Sequence, residues 1–171
     1  SMAVHGRMPA VAQKAAKDIG RTLEEAVKAG QIKLDDLFDH NYVPIPNTRP
    51  QKYSSKFDAL TDNIFPPVQE PVLDGHKEAA YAGAVDINGY FPTHNKRFSK
   101  PLTGDEKVDF VNNRTKRIFS DPVGKKCGSH EQPYLLQTYR RDTGEIMHDL
   151  SVPIYVQGRH WGGFRLGYRT E

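Results

Sequence analysis

The residues in this sequence that could do chemistry fall into three groups. The first is Asp86, Asn88, Tyr90 and His94, a polar and aromatic cluster around Asp86-Ile87-Asn88-Gly89-Tyr90-Phe91-Pro92-Thr93-His94-Asn95. His94 and Asn95 stand at the end of an expected strand, where they can donate to a carboxylate or fix a helix opposite. Asn88, before a glycine, is read as serving the turn. The second group is Asn112-Asn113-Arg114-Thr115-Lys116-Arg117. If this stretch is helical, Asn113 and Arg117 share one face and Arg114 and Ile118 the next. An arginine held against a sheet is suited to bidentate capture of a carboxylate or phosphate, which singles out Arg114. Lys116 and Arg117 read as a solvated face. The third group alternates along strands: Gln137, Tyr139 and Arg141 on one face, then His148 and Leu150 opposed to Asp149 and Ser151. Alternation of this kind can line a pocket, and it equally makes an ordinary exposed sheet face.

Sharper motifs are incomplete. Cys127-Gly128-Ser129-His130 has a serine where a haem attachment motif needs its second cysteine. A Cys127/His130 nucleophile pair needs the two side chains to meet and a third group to orient the imidazole, and a loop supplies no such constraint. His5, His40, His76, His148 and His160 show no metal-ligand spacing on one element. Glycine patterns of phosphate loops, dinucleotide folds and serine elbows are absent. Gly162, Gly163 and Gly167 inside a strand imply close approach by another backbone, a helix or a ligand, with Trp161 and Phe164 read as core.

The elements that must position these groups can be read from periodicity. Pro9 to Ala29 is helical, with Val11, Ala15, Ile19, Leu23 and Val27 recurring every four residues, Pro9 as the first helical residue and Gly30 as the stop. Leu34 to Phe38 reads as a further short turn, and the prolines of 41–53 as an extended loop. A second helix begins near Ser54 or Ser55, buries Phe57, Leu60, Ile64 and Phe65, and ends at Pro66-Pro67. Val68 to Leu73 forms another turn. Ala79 to Asp86 is a strand, Asn88-Gly89 a hairpin turn, and Tyr90 to His94 the returning strand. Asp105 to Phe119 is predicted helical, with Val108, Val111 and Ile118 as its apolar positions, and 124–133 a polar loop. Strands over 134–141, 145–156 and 160–168 close the chain as a meander, with a turn at Asp142-Thr143-Gly144. The predicted class is α+β: a five-stranded antiparallel sheet with a long N-terminal helix and further helices on one face. The expected division is a tag or linker over 1–8, with Ser1-Met2 as a remnant, and one domain over 9–171. Within that domain, 9–30 is the helix, 31–78 helices and the Pro-rich loop, and 79–169 the sheet region.

The chain has 171 residues and a mass of 19.3 kDa, with 37% apolar residues and a net charge of +3, enough for one domain with a real core. One cysteine excludes an internal disulfide. Nothing approaches the ~20 apolar residues of a membrane span, and no signal-peptide pattern opens the chain. Residues 1–86 carry 10 Lys/Arg against 12 Asp/Glu, and residues 87–171 carry 14 against 9. The basic half suits an anionic small molecule. Its charges are scattered among strands and turns without a nucleic-acid motif, so no nucleic-acid partner is expected.

Longer runs carry a resemblance. Leu37-Phe38-Asp39, Tyr42-Val43-Pro44-Ile45-Pro46, Gln69-Glu70-Pro71 and 85–95 are similar to a PAS-like, Cache-type sensory domain of bacterial methyl-accepting chemotaxis proteins. So are Asn113-Arg114-Thr115-Lys116-Arg117-Ile118-Phe119, Leu135 to Asp142 and Gly158 to Gly163. The resemblance covers nearly all of residues 10–168. It implies a receptor input domain rather than an enzyme, with a ligand held between sheet and helices and a terminal helix passing the signal to a dimeric signalling coiled coil. It implies a homodimer in a membrane-associated receptor, with this segment itself making no membrane contact and lying on either side of the bilayer. With the basic half, it makes Asp86, His94, Arg114, Tyr139 and His148 candidate pocket residues for a small, anionic molecule. No cofactor is expected. The alternatives are a haem- or metal-holding redox sensor using His94, His130 or His148, a Cys127/His130 hydrolase, and a dimerisation module without ligand.

Overall fold

The computed structural model describes residues 2–141 and 144–170. Of the turn expected at Asp142-Thr143-Gly144, the first two residues lie outside the described residues. The helix α1 spans Met2–Lys28. Val4 and Met8 extend its buried stripe through Ala12, Ala15, Ile19 and Leu23, so it starts at Met2 and not at Pro9. Burial of those two side chains outweighs the one backbone bond that Pro9 cannot donate. The helix stops as expected: Gly30 has φ 73°, its N–H donates to Val27 O (3.1 Å), and Gln31 N–H donates to Ala26 O (2.9 Å). Those two bonds cap the last carbonyls, and only glycine takes that conformation without strain.

Next come a short α2 (Leu34–Leu37), the paired strands β1 (Val43–Pro44) and β2 (Tyr53–Ser54), α3 (Asp58–Ile64) and α4 (Pro66–Asp74). The second helix starts later than expected because Ser55 donates both its N–H (2.9 Å) and its hydroxyl (2.8 Å) to the Asp58 carboxylate at its mouth. Pro66-Pro67 closes α3 and also opens α4, where a proline's missing N–H costs nothing. The remaining elements are β3 (Ala79–Asp86), β4 (Tyr90–Phe91), α5 (Glu106–Asn112), β5 (Arg117–Ile118), α6 (Pro122–Ser129), β6 (Leu135–Arg140), β7 (Ile146–Val156) and β8 (Arg159–Tyr168).

The class is α+β, with one main antiparallel sheet of four strands in the order β3-β8-β7-β6. The expected fifth strand is not in it. β4 turns away and pairs with β5 instead (Tyr90 opposite Ile118). The outer edge of β3 is occupied by side-chain amides. Ala82 N–H donates to Asn95 Oδ1 (2.9 Å), Asn95 Nδ2 donates back to Ala82 O (2.8 Å), and Ala84 N–H donates to Gln69 Oε1 (2.9 Å). With its backbone groups satisfied this way, the edge neither needs nor admits another strand.

Helices cover both faces of the sheet, where one face was expected. α1 lies across β7 and β8, burying Ala12, Ile19 and Leu23 with Ala82, Ala84, Leu150, Val152, Phe164 and Leu166. Trp161 joins this core, donating its indole N–H to Leu37 O (2.9 Å). On the opposite face sits α6, where a polar loop was expected. Asp121 caps it by accepting from Gly124 N–H (3.2 Å), and Pro122 is its first residue. A Cβ on Gly163 would lie 2.0 Å from Cys127 O, so that glycine is what lets α6 rest on β8. Among the described residues no helix is long and apolar enough to cross a membrane.

Candidate functional site

Between the α6 face of the sheet and the segments that follow β4 lies a cavity of about 240 Å³. Tyr81 of β3, Arg165 of β8 and Tyr139 of β6 come from the sheet, all at positions alternating away from the α1 core. Phe91, His94, Arg114, Phe119, Asp121 and Val123 complete its wall. The cavity is half open to solvent.

Arg165 is buried and paired. Its Nε and Nη2 donate to Asp149 Oδ2 at 3.1 and 2.9 Å. Asp149, wholly buried, also accepts from the Tyr81 hydroxyl and from Cys127 Sγ (2.8 Å). Burial works against the Arg165 charge, but the adjoining Asp149 carboxylate holds its pKa well above the usual arginine value. Burial and then Asp149 push the Tyr81 phenol upward in the same way. The guanidinium of Arg165 is thus a cavity wall whose charge is already balanced.

His94 stacks on Phe91, with ring centroids 4.0 Å apart and 15° between planes. Asn95 N–H donates to its Nδ1 at 2.8 Å, which assigns the proton of the neutral ring to Nε2. Burial, then Arg114 and Arg165, lowers its pKa well below the ordinary histidine value, so the ring is a neutral, fixed donor at pH 7. Room for the Phe91 ring comes from Gly83, whose Cβ would lie 2.6 Å from it.

Arg114 is half-buried. It does not lie on α5, contrary to the sequence expectation. The helix ends at Asn112, and Asn113 takes an extended conformation (φ −128°, ψ 91°) while its Nδ2 donates to Lys100 O (2.7 Å). Its Oδ1 accepts from the buried Lys52, which also donates to Thr115 O (2.7 Å). These side-chain bonds replace the helical ones and turn the chain toward the sheet. Val108 and Val111 are left exposed for the same reason. Arg114 Nε donates to Val111 O (3.0 Å) and its guanidinium lies 5.4 Å from the Phe98 ring centroid. Neither contact balances its charge.

Three of the residues expected from sequence, His94, Arg114 and Tyr139, therefore line one cavity; the other two do not. Asp86 is wholly buried at the Asn-Gly turn, where its Oδ1 accepts from Asn88 N–H (2.9 Å) and Tyr90 N–H (3.0 Å) and its other oxygen from the Tyr42 hydroxyl. Burial raises its pKa, and its work is to tie the turn to the Pro-rich loop. His148 faces α1, bonded to Thr138 Oγ1 (2.9 Å) with His5 and Tyr168 beside it. Strand alternation sends it there; its neighbour Asp149 faces the cavity side. Asn95 fixes a helix, donating to Glu70 Oε2 of α4 at 2.7 Å. Arg165, Tyr81, Phe91, Phe119, Asp121 and Val123 were not foreseen. A signal for Arg165 was present: an arginine between Gly163 and Gly167, on the strand face opposite Phe164 and Leu166.

Cys127 and His130 form no pair. The thiol donates to Asp149, and burial followed by that carboxylate raises its pKa well above the usual value, which disfavours a thiolate. His130 accepts from Gln132 N–H at Nδ1 (3.2 Å), so Nε2 donates to Ser151 Oγ (2.9 Å). Among the described residues no three His, Cys, Asp or Glu side chains are grouped to hold a metal ion. No protein-family model, curated protein or solved structure matches the chain.

Proposed function

We propose that this chain is a ligand-sensing input domain that takes a small organic anion into the cavity bounded by His94, Arg114, Tyr139 and Arg165. The observation that carries this reading is a half-buried arginine, without a carboxylate partner among the described residues, facing a half-open cavity beside a neutral histidine donor. Charge-assisted bonds to a carboxylate are about twice as strong as neutral ones, and aromatic walls exclude competing water. The resemblance of its sequence to chemoreceptor sensory domains supports a role in signalling. In this reading the domain belongs to a membrane-associated bacterial chemoreceptor, acts as a homodimer, and passes occupancy to a signalling module.

A thermal-shift screen of organic acids, amino acids and purines tests the proposal. At a hundredfold excess over Kd a ligand should stabilise the fold by about 2.7 kcal/mol. For a chain of this size that is roughly 5–11 °C in Tm. Arg114→Ala should abolish the shift. A screen in which nothing stabilises the protein would refute direct sensing of these classes.

A further inference from the structure

The charges around the cavity can be tallied side chain by side chain. Arg165 is neutralised by Asp149 at 2.9 Å; Arg141, beyond Arg114, shares Glu145 (3.3 Å) with Arg169 (2.8 Å) and is not among the lining side chains. His94 is held neutral by the amide at its Nδ1. Asp121 is exposed and engaged in capping α6. Of the two cations that line the cavity, Arg114 has no carboxylate partner among the described residues, and beside it stands a neutral donor, His94 Nε2–H; Arg117, behind Phe119 at 5.0 Å, is outside the lining. Phe91, Phe119 and Val123 supply an apolar wall. A second carboxylate held inside the cavity would desolvate against those rings or approach Asp121, and either is unfavourable.

We infer that the ligand is a monocarboxylate with an apolar body, its carboxylate held by Arg114 and His94 Nε2–H and its body against Phe91, Phe119 and Val123. This deepens the anion-sensing reading and rests on it. The neutral amide of the same shape loses the charge-assisted bond to Arg114, and a dicarboxylate of similar size adds an unmatched charge.

Isothermal titration with benzoate and isovalerate, their amides benzamide and isovaleramide, and the dianions terephthalate and succinate tests the inference. The expected result is measurable binding of at least one monocarboxylate, with its amide and the dianions about 10- to 100-fold weaker. Arg114→Gln, checked for folding by circular dichroism, should bind acid and amide alike. Val123→Phe, which narrows the cavity from α6, should reject both. If a dianion binds more tightly than the monocarboxylates and Arg114→Gln abolishes that binding, the single-charge inference falls while the anion reading stands. If no acid binds, or Arg114→Gln leaves every affinity unchanged, both fall.

Discussion

Replacing Arg165 with methionine probes the pair on which the cavity's charge balance depends. The side chains of Arg165 and Asp149 are 8% and 0% exposed, and both guanidinium contacts go to one carboxylate oxygen. Methionine keeps much of the volume but leaves Asp149 buried with only the Tyr81 hydroxyl and the Cys127 thiol as donors. Breaking a buried ion pair from one side costs about 3–5 kcal/mol, because the remaining charge is not rehydrated. That corresponds to roughly 6–20 °C in Tm for a chain of this length. Urea unfolding followed by fluorescence of Trp161, the sole tryptophan and fully buried, measures it directly. D149L should be comparably destabilised, and the double variant should lose at least about 2 kcal/mol less than the sum of the two. An R165M protein within about 1 kcal/mol of wild type would show that the pair is solvated in solution, and the assignment of Arg114 as the unpaired cation of the cavity lining would fail with it.

Three further outcomes are expected. Gly163→Ala places a methyl group against the Cys127 carbonyl, so α6 must shift; the loss should be about 1–3 kcal/mol by urea unfolding, and an unchanged midpoint would contradict the packing. Lys52 has its pKa lowered to about 8 by burial and then by Lys116 and Arg117, against 10.5 when unfolded. The unfolded chain therefore holds more protons between those values, and the Lys52 contribution to stability rises with pH across about 8 to 10.5. Stability of wild type minus K52M should climb over that window, and a flat difference would refute the buried-lysine assignment. Cys127 should resist iodoacetamide at pH 8 in the folded protein and react after unfolding, as mass spectrometry would show; rapid labelling of the native state would contradict its pairing with Asp149.

Where one local rule dominated, the sequence could be read. The four-residue stripe and Gly30 defined the body and end of α1, and turn residues bounding apolar and aromatic runs located β3, β7 and β8 to within a residue or so. The rest depended on contacts between distant residues. α6 carries an Asp-Pro start, yet Gly124 and Gly128 make it a poor helix by propensity; those glycines are there because a Cβ on either would meet the Phe119 or Asp86 carbonyl. The fifth strand was lost because Asn95 and Gln69, distant in sequence, occupy the β3 edge. Arg114, singled out by residue type, lies on the cavity wall although its helix ends before it. Asp86 and His148 lie off this cavity because a polar residue on a strand can serve a turn or the opposite face as readily as one given pocket. Arg165 was hidden by its partner Asp149, one strand away.

The most direct test of the central claim is a crystal structure of the protein with an anion that stabilises it. The account predicts density in the cavity between α6 and the sheet, with a carboxylate within hydrogen-bond distance of the Arg114 guanidinium and His94 Nε2. An empty cavity, or the anion bound instead beside α5 or in the hollow next to His5 and His148, would contradict it.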